Sequence, residues 1–427
     1  PFLLMRTLNQ QDLARLFAKC SGSNERHHQF LWQTMGELWL YCAWLAEHLA
    51  LSVADIDRAV MRGFGWEMGP FAMWQAANQA DITACMQKSI QAGDFHTTTP
   101  LPEWVTDTPA FYLDGSSFHP QRRAYVEAAY CQAAQKHYRC QPQYTETNQN
   151  AHTHYTSKAT RIWSPKDPVI VITINTPMGT IGQQVIDDLQ RAIDIAETRQ
   201  QPLIIWPGPH EHFGVGANLK EVAAQYALRG IRAIDRIVND FQQVNMRLKY
   251  CSVPTIATVK GFALGGSCEV MLHCDHRIAC ENSYIGLVEV GVGIIPGAGG
   301  SKEMAMRALQ WDSTENTHFA HFKTLAMGEV ATSATAAREK GFLTSADTII
   351  AHPDALLSSA IAYAHFLTQH AYTPPSTQLT VVPGTRGISN CNMAITNLQA
   401  GDFASAHDAT IAQALAEVMC GGAVTPG

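Results

Sequence analysis

The order of apolar and polar positions divides the chain in two. From about Asp12 to about Gln143 apolar residues recur at helical spacing, and no segment alternates convincingly as a strand would. FLWQTMGELWLYCAWLAEHLA, residues 30–50, is apolar on nearly every side, which predicts a deeply buried helix rather than a surface one. Ser52, Val53, Ala54 and Asp55 have capping-box spacing and open a short helix that Gly63 should end. The polar, unpatterned TETNQNAHTHYTSKATRIWS, residues 145–164, reads as an interdomain linker.

After it the pattern switches to short buried strands and amphipathic helices. VIVITIN (169–175), PLIIW (202–206) and TIATVKG (255–261) read as strands. QQVIDDLQRAIDIAE places Val185, Ile186, Leu189, Ile193 and Ala196 on one helical face. Strand–helix–strand order means an α/β fold with crossover connections, here preceded by an all-α domain. TPPSTQLTVVPGTRG (373–387) reads as a second linker, with a helical segment from about Asn390 to Met419. The expected layout is a helical domain over 1–145, a linker over 146–165, a core over 166–372, then the second linker and C-terminal helices over 373–427.

Composition narrows the classes. At 427 residues, with 46% apolar and 16% charged, the chain is long enough for two or three globular domains. A net charge of −7 with interspersed signs makes nucleic acid and anionic membranes poor partners. No apolar run approaches the ~20 residues of a membrane span, and no signal peptide is legible. The 11 cysteines are scattered without a C-x-x-C pair, which suggests reduced thiols in a cytoplasmic setting. The chain starts at Pro1 and stops in GGAVTPG, as a piece of a longer polypeptide would. His152 with His154, and His210 with His212, have metal-like spacing but no third ligand nearby, so no metal site is expected. Glu37 stands in the aromatic-rich helix without an evident partner.

The chemistry concentrates in FALGGSCEVMLHCDHRIACENSYIGLVEVGVGIIPGAGG, residues 262–300. As a dinucleotide fingerprint it fails, because Pro296 stands where the third glycine is needed. GAGGSK at 297–302 lacks phosphate-loop order, and Gly265-Gly266-Ser267-Cys268-Glu269 lacks the closing glycine of a nucleophile elbow. Ser267 and Cys268 are then small helix-start residues. What remains is a glycine turn feeding a helix, whose first N–H groups are unpaired and sit at the positive end of the dipole. HFGVGANLKEV, residues 212–222, makes a second such turn with Ala217 in it. Two main-chain donors from two turns could converge on one oxygen that is gaining charge.

These three motifs, HFGVGANLKEV, GFALGGSCEVMLHCD and GLVEVGVGIIPGAGG, resemble the enoyl-CoA hydratase/isomerase (crotonase) superfamily over roughly residues 167–369. The resemblance implies a crotonase-like spiral of β-β-α units. It implies an oxyanion hole from the N–H groups of Ala217 and Gly266, with Glu269 and Glu289 as the two catalytic acids. Gly297 would be a backbone position that helps hold the reacting water, and Ala217, Asn218, Leu219 and Lys220 would line the coenzyme A path. Glu289 would give the proton to carbon and Glu269 would position and activate the water. Two acids sharing one water in an apolar pocket tend to have their pKa values pushed apart. Two positions depart from the pattern. Asn218 stands where an aspartate is usual, and Ser267 where a third glycine is usual. The bland reading of Glu269 is a buried acid paired to Arg277 or Lys302.

SVADIDRAVM followed by GFGWEMGPFAMWQA (63–76) is similar to the C-terminal helical domain of 3-hydroxyacyl-CoA dehydrogenases, over about Leu13 to Tyr138. That family's NAD-binding part has no counterpart in these 427 residues, so NAD is expected only in a missing domain. Hydration itself needs no cofactor, coenzyme A being part of the substrate. The combined expectation is a 2-enoyl-CoA hydratase from a bifunctional fatty-acid oxidation protein, acting on acyl-CoA. The alternatives are a double-bond isomerase and an inactive acyl-CoA-binding module. Self-association or a thiolase partner fits the same resemblance.

Overall fold

The computed structural model describes residues 10–49, 52–66, 68–97, 99–114, 116–126, 151–165, 167–311, 315–377 and 380–425. The chain divides into two units, Pro1–Cys140 and Gln141–Gly427.

The first unit carries helices α1 (Gln10–Cys20), α2 (Arg26–His48), α3 (Val53–Phe64), α4 (Pro70–Ala76), α5 (Gln79–Ala92) and α6 (Glu103–Asp107). Its core is aromatic: Phe17, Trp39, Phe71, Trp74, Trp104 and Phe111 are fully buried together. The expected absence of strands is overturned. Three short antiparallel strands, β1 (Tyr112–Leu113), β2 (Ser116–His119) and β3 (Ala124–Val126), follow α6. Runs of two to four residues are too short to show alternation. Residues 127–143, also expected to be helical, lie outside the described residues.

The expectation of an all-round buried helix also fails. α2 buries Trp32, Met35, Trp39, Leu40 and Ala43 but leaves Phe30 69% and Tyr41 58% exposed. The capping box forms, with the Ser52 N–H donating to Asp55 Oδ2 at 2.7 Å. The helix it opens runs one residue past Gly63 and ends where Gly65 takes φ +68°. Glu37 is not unpaired, since it accepts from the His96 N–H.

The second unit is built on a seven-stranded sheet in the order β12-β10-β8-β7-β6-β5-β4. Its edge hairpin is β4 (His152–Thr156) and β5 (Thr160–Ser164), antiparallel to each other, with β5 antiparallel to β6 (Ile170–Ile174). Residues 152–164 are therefore sheet rather than linker; their polar outer face masks a strand pattern. Residues 145–150 lie outside the described residues. From β6 the sheet is parallel through β7 (Leu203–Trp206), β8 (Thr255–Val259), β10 (His276–Cys280) and β12 (Thr348–Ile350). Parallel strands need both faces covered, which is why IVITI and TIATV are buried at every position. One face packs on α7 (Gln183–Arg199) through Val185, Ile186, Leu189 and Ile193, as its spacing predicts.

Crossovers α8 (Leu219–Arg229) and α9 (Ile231–Lys249) lead into β8, and a two-stranded parallel layer follows from β9 (Phe262–Leu264) and β11 (Tyr284–Gly286). Between these two strands come α10 (Gly266–Leu272) and then β10. The chain continues through α11 (Gly300–Trp311), α12 (Glu315–Ala326) and α13 (Ala334–Glu339). α14 (Leu356–Gln369) covers the other face of the large sheet through Leu356, Leu357, Ala360 and Ile361. The C-terminal helices are α15 (Gly384–Ala400) and α16 (Ala406–Met419), the first starting inside the stretch read as linker. The break falls at Gly401–Ser405, where Asp402 takes φ +57° and Ser405 caps the second helix. Among the described residues no helix is long and apolar enough to cross a membrane.

Candidate active site

The two glycine turns meet. β9 ends at Leu264, Gly265 turns the chain at φ +54°, and α10 begins at Gly266. The upstream turn is held beside it by ladder contacts. Gly214 bridges to Ala263, and Ala217 bridges to Ile181 just before α7. Gly216 sits at φ +93°, and a side chain there would put its first carbon 3.0 Å from the Gly266 nitrogen. A first carbon on Gly266 would in turn lie 3.5 Å from the Ala217 nitrogen and 2.8 Å from the Phe241 ring. The amides of Ala217 and Gly266 are thus neighbours across a wall that only glycine can line. Among the described residues neither amide donates a hydrogen bond.

Ser267, the departure from a third glycine, has a definite task. Its hydroxyl accepts the Gly216 N–H at 3.0 Å and so ties one turn to the other. Asn218, the other departure, caps α8 by accepting the Glu221 N–H at 3.3 Å. Leu219 and Lys220 occupy the exposed first turn of that helix.

Both acids stand beside these turns. Glu269 is 2% exposed in the middle of α10, where every residue is buried. Its Oε1 accepts two main-chain N–H groups, from Ala298 at 2.8 Å and Gly300 at 2.9 Å. Arg277 pairs instead with Asp347 at 2.8 Å, and Lys302 with Glu303 at 2.7 Å, so the bland ion-pair reading of Glu269 fails. Glu289 opens the short 3-10 turn Glu289–Val292 and is 9% exposed. A side chain at Gly265 would come 3.5 Å from Glu289 Oε1, which puts this acid against the same glycine wall. Neither of its carboxyl oxygens has a well-formed hydrogen bond from any described residue.

The electrostatics separate the two acids. Burial pushes Glu269 up, and the Gly300 and Ala298 amides pull it part of the way back. Burial pushes Glu289 up further, the Glu269 charge adds to the rise, and the nearby amides of Glu289 and Val288 offset it only in part. Hydrogen bonds to the charged form favour ionisation where they exist. The first proton lost from the pair therefore leaves Glu269, and Glu289 keeps its own. One ionised and one neutral carboxyl, beside two free amides, can take a proton from one reactant atom, give one to another, and stabilise oxyanion charge between them.

Gly297, expected among the water-holding backbone positions, presents its carbonyl to Gln242 Nε2 at 2.6 Å. The amides that grip Glu269 are those of Ala298 and Gly300, which motif reading did not single out. Asn245 supports that loop by donating to the Ala298 carbonyl at 2.9 Å. Neither Asn245 nor Phe241 carried a sequence signal, because both come from the outer helix α9.

The other histidines do chores. His154 Nε2 meets Ser164 Oγ at 2.8 Å, and the His212 ring stacks on Phe262 at 4.2 Å. Glu25, His27 and His28 place three metal-ligating atoms within 4.8 Å of one another. They crowd the N-terminus of α2, where the positive end of the helix opposes a cation. A cleft of about 520 Å³ between β4 and α7 is lined by His152, His154, Arg191 and Arg199, and none of its lining residues is one of the two acids.

An antiparallel hairpin feeding a parallel sheet, a second small β layer, and a glycine-lined pair of amides define a crotonase-like α/β enzyme fold. Residues 165–318 match the enoyl-CoA hydratase/isomerase family. A protein of Bacillus subtilis (strain 168) named as a probable 3-hydroxyacyl-CoA dehydrogenase is 29% identical over 413 residues, 95% of this chain and 50% of that one. The short-chain-enoyl-CoA hydratase of Clostridium acetobutylicum is 36% identical over 141 residues, 32% of this chain and 52% of that one. The crystal structure of an enoyl-CoA hydratase from Bacillus anthracis aligns with TM-score 0.41 and 22% identity, covering 64% of this chain and 90% of that one. The chain spans about half the length of these two curated relatives.

Proposed function

We propose that the second unit hydrates 2-enoyl-CoA thioesters. The observation that carries this reading is the pairing of Glu269, held by two main-chain amides, with Glu289, buried beside it with no well-formed hydrogen bond to its carboxyl oxygens. Water addition needs both members: Glu269 takes a proton from water as its oxygen bonds to C3, and Glu289 gives its proton to C2. The Ala217 and Gly266 N–H groups receive the thioester oxygen while it carries enolate charge. One proton enters the carboxyl pair and one leaves, so the step closes on an unchanged total, and a proton passing from Glu269 back to Glu289 resets the site. No cofactor is required. Leu219 and Lys220, on the exposed first turn of α8, are suited to the coenzyme A path.

The first unit fits a role beside a hydroxyacyl-CoA dehydrogenase, as the Bacillus subtilis relative suggests, in fatty-acid oxidation in the cytoplasm. On this reading NAD belongs to a part of the protein beyond these residues.

The test is loss of enoyl absorbance with crotonyl-CoA and with a long-chain 2-enoyl-CoA. Glu269→Gln and Glu289→Gln should each lose about 10²–10⁴ in kcat. Turnover of 3-enoyl substrates alone would point to proton shuttling by one acid and overturn hydration. Calorimetric binding of acyl-CoA without turnover would leave a binding module.

A further inference from the structure

His273 is the residue whose placement the reaction as proposed does not use. It follows α10 directly and is 1% exposed, so its ring is committed to the interior. The last turn of α10 tightens, and the His273 N–H goes to Val270 at 3.2 Å rather than to Glu269. The Glu269 carbonyl is left without its helical donor, and His273 Nδ1 takes that place at 2.7 Å. A carbonyl only accepts, so Nδ1 carries the hydrogen. Nε2 has no hydrogen-bond partner among the described residues.

The far edge of the ring lies under Gly299. A first carbon there would fall 2.8 Å from His273 Nε2 and 2.9 Å from its Cε1, and Gly299 itself takes φ +106°. Gly299 stands between the two residues whose amides grip the Glu269 carboxylate. One imidazole therefore touches the main chain of Glu269 at one end and the loop that clamps its side chain at the other.

We infer that His273 is a positioning residue for Glu269, setting the reach from that residue's backbone to its amide clamp. This rests on the hydratase reading of Glu269.

Burial pushes His273 down to about 4, ahead of the opposing pull of Glu303. Glu303 lies 3.6 Å from Nε2 but is already satisfied by Lys249 at 2.6 Å and Lys302 at 2.7 Å. The other charged or titratable groups facing the Glu269–His273 pair are Glu289 from its 3-10 turn, Cys268 on α10 and Arg307 from α11.

The experiment is the carboxyl ¹³C titration of Glu269 in the full chain, beside steady-state kinetics, for three variants. His273→Leu removes both the donor and the ring edge. His273→Asn keeps an N–H for the carbonyl, and His273→Phe keeps the ring. In His273→Leu the Glu269 titration should move up by about one unit as the amide clamp loosens. kcat should fall by about 10²-fold with KM little changed, since small displacements of a reacting group have that effect. Asn and Phe should each restore part of the titration shift. The idea is overturned if Glu269 titrates unchanged in the Leu variant while only its melting temperature drops, or if Asn and Phe restore nothing. The titration reads the clamp whether or not the chain hydrates enoyl thioesters, so a failure of the proposed activity stays separate.

Discussion

At the scale of single residues, the site depends on one hydroxyl that motif comparison marks as an irregularity. Ser267 Oγ receives the Gly216 N–H in the interior. Removing it leaves a buried donor unmet, which costs about 1–3 kcal/mol. Ser267→Ala should therefore lower the denaturant midpoint and, by letting the Ala217 turn drift from Gly266, reduce kcat more than it raises KM. Equal loss in both parameters would mean the turn is held by its ladder contacts alone. That Glu269, Glu289, Ala217 and Gly266 stand close together was legible because each is embedded in a motif of fixed spacing. Ala298, Gly300, Asn245 and His273 were not legible. Their contributions are a main-chain amide, a carbonyl contact or a packed ring edge, none of which leaves a residue-type signature.

At the scale of elements, legibility followed burial. β6, β7 and β8 read correctly because strands buried on both faces are continuous apolar runs bounded by turns. β4 and β5 did not, because an edge hairpin with a polar outer face looks like a loop. The break between α15 and α16 was not placed, because it is a short turn between two helical stretches. The junction between β10 and the approach to β12 rests on Arg277, whose guanidinium pairs with Asp347 at 2.8 Å and reaches the Cys274 carbonyl at 2.7 Å. Arg277→Ala leaves the buried Asp347 without its counterion, held only by the main-chain N–H of residue 277 and by Thr344, and should destabilise the unit by about 3–5 kcal/mol. Chemical denaturation measures this, and a loss below about 1 kcal/mol would mean that water replaces the guanidinium.

At the scale of the whole molecule, opposed carboxylates shape the response to pH. Glu269 and Glu289 are held above their unfolded values. Their contribution is complete below the unfolded pKa and is lost as pH rises through the folded one. Glu303 behaves in the reverse sense. Burial pushes it up, but the Lys249 and Lys302 ammonium groups beside it outweigh that and hold it low. Its contribution is present above the unfolded pKa, near 4.3, and lost as pH falls toward 2. The thermal midpoint should peak in weak acid. Glu289→Gln has no proton to lose, so its midpoint should gain on the unaltered chain as pH rises from about 5 to 9; parallel curves would remove the burial argument. Every proposed site residue lies in the second unit, whose cores are separate from the aromatic core of the first. Residues 151–427 expressed alone should therefore keep the kcat of the full chain toward crotonyl-CoA, and a loss above tenfold would assign the first unit a part in the chemistry.

The grip of Ala298 and Gly300 on Glu269 joins α10 to the start of α11. A glutamate secured by a neighbouring helix's threshold is competent only while that helix is docked. Transient detachment of α11, well short of global denaturation, would release the carboxylate and silence turnover. In mild urea, catalysis should fade before the far-ultraviolet signal does, with the amides of Ala298 and Gly300 exchanging with solvent ahead of those in β6 and β8.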